Sequence, residues 1–183
     1  MLRFITVLSS LLVTVTLAGA QSFGVPPVEE PADAPTVSVT FSPIHLVIPF
    51  GEVSAEINLG RKSAIAVIGG AGALRDDVTD DLIKLWEIGI SPRYYVWGDF
   101  RKGVQLGAEA AYIHASASSS QSIRVAAEGL AVGPYVGAKW ASHVGFTLEA
   151  QLGVQYLAIR GDGADDNDSR WAPLLNLQVG WSF

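Results

Sequence analysis

Apolar and polar residues alternate along most of this chain. In residues 175–183, Leu175, Leu177, Val179, Trp181 and Phe183 fall on one parity and Asn176, Gln178, Gly180 and Ser182 on the other. Successive side chains of a strand point to opposite faces, so a strict period of two predicts a β-strand with one apolar face. The period recurs in 144–158, where Phe146, Leu148, Ala150, Leu152, Val154 and Tyr156 alternate with Gly145, Thr147, Glu149, Gln151, Gly153 and Gln155. In 86–97 it places Trp86, Ile88, Ile90, Tyr94 and Val96 opposite Glu87, Gly89, Ser91, Arg93 and Tyr95. In 103–114 and 52–59 it sets Val104, Leu106, Ala108, Ala110 and Tyr112 against Gln105, Gly107 and Glu109, and Val53, Ala55, Ile57 and Leu59 against Glu52, Ser54, Glu56 and Asn58. Weaker patterns in 37–49, 64–73 and 122–139 bring the total to about eight strands. The first of these changes parity near Pro43, and the last slips near Gly129, where a bulge is expected.

The less apolar face is crowded with glycines, amides and isolated charges rather than the Lys, Thr and Ser of a water-facing sheet. Such a face suits a narrow interior, and a barrel of about eight strands is just wide enough to be filled by side chains. The connections agree. Those at 60–62, 98–102 and 140–143 are short; those at 74–84, 116–121 and 160–170 are longer; the first, around Pro49-Phe50-Gly51, is tight. Short turns on one side and longer loops on the other are the rhythm of barrels that cross a membrane, and the best strands reach the roughly 9–11 residues a tilted crossing needs. Aromatics near strand ends, among them Trp86, Trp97, Tyr112, Trp140, Tyr156, Trp171 and Trp181, suit girdles at the two interfaces. The expected fold is all-β: an eight-stranded antiparallel transmembrane up-and-down β-barrel over 37–183.

The last strand, ending on Phe183, resembles the closing strand of bacterial outer-membrane barrels. The whole pattern resembles the small OmpA-like and OmpX-like eight-stranded proteins. The resemblance implies that Phe183, Trp181 and Val179 are read by the barrel assembly machinery. It also implies an outer-membrane location, contact with outer-membrane lipid, a monomeric state, and a structural or surface-interaction role needing no cofactor and no metal.

Residues 1–20 fit a secretory signal peptide: Arg3, an apolar run too short to span a bilayer, then Ala18-Gly19-Ala20. Residues 21–36 hold Pro26, Pro27, Pro31 and Pro35 with Glu29, Glu30 and Asp33, and read as an extended acidic lead-in on the periplasmic side. Apolar residues make up 49% of the chain, which is long enough for one barrel domain. The net charge of −6 argues against nucleic acid, and with no cysteine neither a disulfide nor thiolate chemistry is available.

Three sets of residues carry candidate chemistry. Parity turns Glu52, Glu56, Glu87, Glu109, Glu128 and Glu149 inward with Arg93, Arg124 and Lys139. Buried charges must be paired or neutralised, so a lumen-plugging charge network is expected, with a narrow ion or small-solute channel as an alternative. His114-Ala115-Ser116 with Glu128 has the residue types of acyl hydrolysis. Its spacing resembles that of the outer-membrane lipid A deacylases. The resemblance makes Ser116 the nucleophile, His114 the base and Glu128 its orienter, although Ala117 stands where that family has an Asn. The third set is the acidic connection 160–170, whose carboxylates suit hard cations but match no calcium-loop register; it is read as a solvated loop. His45 and His143 are isolated and read as rim residues.

Overall fold

The computed structural model describes residues 35–47, 49–75, 82–119, 122–161 and 168–183, without the side chains of 47, 117–119, 122–126 and 168. The expected signal peptide and nearly all of the lead-in lie outside the described residues, as do the centres of two connections. Eight strands are present: β1 (Val37–Phe41), β2 (Phe50–Gly60), β3 (Ser63–Arg75), β4 (Leu82–Gly98), β5 (Lys102–Ser119), β6 (Ser122–Ala141), β7 (Phe146–Arg160) and β8 (Asp168–Ser182). Each pairs antiparallel with its sequence neighbour, and β1 also pairs with β8, from Ser38 opposite Ser182 to Phe41 opposite Val179. The sheet is therefore a closed up-and-down barrel, which leaves no unpaired edge.

Both ends of the described chain lie at one end of the barrel. There Thr36 N–H donates to the Phe183 carbonyl over 2.6 Å and Phe183 N–H to the Val37 carbonyl over 2.8 Å. This terminal end carries the turns at 61–62, 99–101 and 142–145. Gly60, Gly98 and Gly145 close them with φ of 143°, 72° and 94°, values that a residue with a Cβ rarely adopts.

The distal end corrects three expectations. β1 stops at Phe41 rather than running to Pro49, and a 3₁₀ turn, Pro43–Val47, follows it. Pro43 has no N–H to give a ladder, so the parity change marks the end of the strand. The first connection is thus the longer one, 42–49, instead of a tight turn. Conversely, β5 and β6 run to Ser119 and Ser122, so the loop expected at 116–121 shrinks to a two-residue link. Third, the irregularity of β6 lies nearer the distal end than Gly129: Ala115 faces Ala127 but Ser116 faces Val125, leaving Ala126 as the extra residue.

The distribution of side chains inverts that of a soluble barrel. Glu52, Glu56, Arg93, Gln105, Glu109, Lys139, Glu149, Gln155 and Gln178 are buried inside the barrel, whereas Ile88, Ile90, Val132, Leu152, Val154 and Leu175 are about half exposed on its outer face. Small apolar packing does occur inside, where Ala111, Ala131, Tyr135, Leu157, Ala172 and Leu174 form a cluster toward the distal half.

Candidate functional site

The lumen holds two charged layers. In the terminal half, alternation on four strands aims Glu56 (β2), Arg93 (β4), Lys139 (β6) and Glu149 (β7) at one another. Arg93 Nη1 stands 2.8 Å from Glu149 Oε1 and 3.0 Å from Glu56 Oε2, and Lys139 Nζ stands 2.6 Å from the same Glu56 oxygen. Tyr95 Oη donates to Glu56 Oε1 over 2.7 Å, Gln105 Nε2 donates to Glu149 Oε1 over 2.8 Å, and Gln151 donates to the same oxygen. Two cations thus meet two carboxylates whose remaining lone pairs are largely filled. A buried ion cluster avoids a net penalty only under that condition.

In the distal half, among the described residues, the inward carboxylates outnumber the inward cations. Glu52 Oε1 accepts from Asn176 Nδ2 at 3.0 Å and Gln178 Nε2 at 3.2 Å. Its other oxygen lies 2.9 Å from His45 Nδ1, and the buried Glu87 approaches Glu52 across Gly70, which pairs with both. Gly70 makes that approach possible: a Cβ there would lie 2.5 Å from the Phe50 ring and 2.7 Å from Glu87 Oε1. Glu109 sits between the layers, buried, with Oε1 lacking a hydrogen-bond partner.

Both mouths are filled. The 3₁₀ turn lowers His45 into the distal mouth, where it stands edge-on to Phe50 at 6.1 Å. At the terminal mouth Phe100, from the 99–101 turn, folds inward against Tyr95 and receives Lys139 Nζ 3.5 Å above its ring. His45 is only 4% exposed, which corrects its reading as a rim residue. Parity could not place it, because it follows the break at Pro43. Phe100 lies in a turn, where period two says nothing. His143 is exposed on the terminal rim, beside Arg101.

Seven of the nine residues expected in the lumen network are buried inside: Glu52, Glu56, Glu87, Arg93, Glu109, Lys139 and Glu149. The side chain of Arg124 lies outside the described residues. Glu128 is a correction. From Ala127 through Ala141 the alternation of β6 is unbroken, so Glu128 faces outward. It lies opposite His114, with Nδ1 3.6 Å from Glu128 Oε1 and side chains 21% and 50% exposed. Trp86 stacks on His114 at 5.4 Å and meets Tyr112 at 5.5 Å. Ser116 shares the outward parity of His114, and among the described residues no hydrogen bond joins the two. Phe183 and Trp181 are exposed at the terminal end, with Val179 half-buried beside them. Most of the acidic 160–170 connection lies outside the described residues. Among the described residues no three His, Asp or Glu side chains are grouped to hold a metal ion, and no helix is long and apolar enough to cross a membrane. Comparison with protein-family models, curated proteins and solved structures finds no match.

Proposed function

We propose that this chain is a small outer-membrane β-barrel protein that spans the bilayer, with its lumen plugged by side chains, and serves a structural or surface-interaction role. One observation carries the proposal: the outer wall is a continuous apolar band around a polar, ion-paired interior. An apolar surface of that extent is untenable in water and suits lipid, while the closed ladder satisfies the backbone where no water is available. The aromatic positions support the same reading. Trp97, Trp140, Trp181 and Phe146 ring the wall near the terminal end, and Trp86, Trp171 and Tyr156 near the distal end. On β4, Trp86 and Trp97 are 11 residues apart. At about 3.3 Å per residue and a tilt of roughly 40° that projects to about 28 Å, close to the ~25 Å band of such barrels.

The filled mouths favour a plug over a channel. The test is gel mobility of membrane-extracted protein with and without boiling, together with planar-bilayer recording. A heat-dependent shift from the membrane fraction and silent bilayers are expected. Protein found free in the periplasm without a shift would end the membrane reading, and steady unit conductance would end the plugged one.

A second reading, a lipid-modifying hydrolase of the barrel type, is favoured by the outward turn of Glu128. Glu128 faces His114 Nδ1, which leaves Nε2 as the nitrogen to take a proton from the Ser116 hydroxyl, all on the wall that would meet lipid. Ser116→Ala and His114→Ala would each abolish deacylation of outer-membrane lipid. An acylation pattern unchanged when the whole gene is deleted would remove the reading.

A further inference from the structure

The terminal rim carries a one-sided charge. Its turns present Arg61, Lys62, Arg101 and Lys102, with His143 beside them, against a single side-chain carboxylate among the described residues, Asp99. Asp99 is already committed to its own turn, accepting from the backbone N–H of Arg101 at 2.9 Å and of Lys102 at 3.1 Å. Lys62 Nζ donates to the Gly98 carbonyl over 2.6 Å, which ties the 61–62 turn to its neighbour, and Arg101 leans on His143. Among the described residues none of the four cations is ion-paired with a carboxylate. Directly toward the apolar band stand Trp97, 64% exposed, Trp140, Trp181 and Phe183, 68% exposed. Basic side chains just beyond a ring of exposed aromatics occupy the depth at which lipid phosphates lie.

We propose that this rim binds the phosphate headgroups of anionic phospholipids in the adjacent leaflet, with Arg61 and Lys102 as the principal contacts and Arg101 and Lys62 completing the ring. The inference rests on the membrane-spanning reading above. The guanidinium of Arg61 and the ammonium of Lys102 are exposed and carry no structural hydrogen bond that binding would break. Headgroup binding also explains why the cations of these two turns remain, among the described residues, without carboxylate partners: the partner arrives from the bilayer. The competing occupant is the chain's own acidic lead-in, which carries Glu29, Glu30 and Asp33 and joins the barrel at this end.

The test uses the mature chain refolded into vesicles of phosphatidylcholine alone or with phosphatidylglycerol, with the thermal midpoint read from heat-dependent gel mobility. The anionic vesicles are expected to raise the midpoint by about 2–4 °C per engaged charge, an effect lost in high salt. The variant R61Q/K102Q is expected to fold equally in phosphatidylcholine and to lose at least half of the rise. Equal midpoints in the two lipids, or a rise that R61Q/K102Q leaves intact, overturn headgroup binding while leaving the membrane-spanning reading in place. If R61Q/K102Q lowers the midpoint in phosphatidylcholine, and deleting residues 21–34 erases that difference, the lead-in occupies the rim and the proposal fails. A chain that acquires no compact form in any vesicle overturns both readings.

Discussion

At the scale of the residue, Arg93 is the charge on which the lumen depends most. Among the described residues it alone bridges Glu56 and Glu149, which lie on strands that do not pair with each other. Removing one member of a buried ion cluster leaves the others uncompensated and costs about 3–5 kcal/mol. Arg93→Met is therefore expected to destabilise the folded barrel by that amount, measured as a fall in the denaturant midpoint. The double change that also converts Glu149 to Gln should recover most of the loss, since it leaves Glu56 paired with Lys139 and no charge stranded. If Arg93→Met alone is neutral, the cluster is not the structural plug described. Most of this cluster is legible in the sequence, because Glu56, Arg93 and Glu149 sit in unbroken alternations. Glu128 departs from its expected face because parity reports a face only relative to its neighbours. With the slip assigned to Gly129 instead of Ala126, every residue between changes sides. His45 and Phe100 were illegible for a different reason: neither belongs to a strand, and a turn residue's direction is set by tertiary packing.

At the scale of the element, the distal turn and the mid-wall of β6 and β7 depart from a regular barrel. The 3₁₀ turn packs on β2 and β8, and its burial of His45 makes it the distal closure. Ser54 lies beneath it, inward-facing and 1% exposed, and the chain has no cysteine of its own. Ser54→Cys supplies a unique reporter of similar size. It should resist a polar maleimide in the intact protein and react at least about tenfold faster when 43–47 is replaced by a Gly-Ser linker, because thiol attack follows access. Equal rates would mean that the turn closes nothing. In the wall, Pro134 cannot donate to the ladder, and pairing of β6 with β7 lapses between Val132–Tyr156 and Tyr135–Gly153. Gly153 lets the strands close again: a Cβ there would sit 2.8 Å from Tyr135 Cβ and 2.9 Å from Tyr135 Cα. The obstruction is mostly backbone, so Gly153→Val should cost at least about 2 kcal/mol, or prevent the compact form, on the same heat-mobility gel. The alternation predicts both strands, but the sequence offers no signal that a Pro and a Gly on neighbouring strands must meet.

At the scale of the whole molecule, the inversion of polarity is legible in the sequence, because period two with glycines, amides and charges on one face has few other homes. The same inversion makes a prediction that no single strand could. The chain has five tryptophans, Trp86, Trp97, Trp140, Trp171 and Trp181, and every one is at least 43% exposed on the outer wall. They sit at two levels near the barrel ends, whereas the middle of the wall is Ile88, Ile90, Val67, Val132, Leu152 and Val154. A soluble barrel would place such side chains in water, where a lipid-borne quencher does not reach them. A spanning barrel places them where the indole ring meets hydrocarbon and its N–H meets the headgroup region. In vesicles with bromines at defined depths, bromines near the headgroups should quench the fluorescence roughly twofold more than bromines at the bilayer centre. Replacing Trp86 and Trp171 by Phe should leave only the terminal-end set, so quenching should then come mainly from bromines in the leaflet beside the termini. Quenching that is strongest at the centre would mean that the barrel lies differently in the bilayer, and no quenching at any depth would mean that its apolar wall faces something other than lipid.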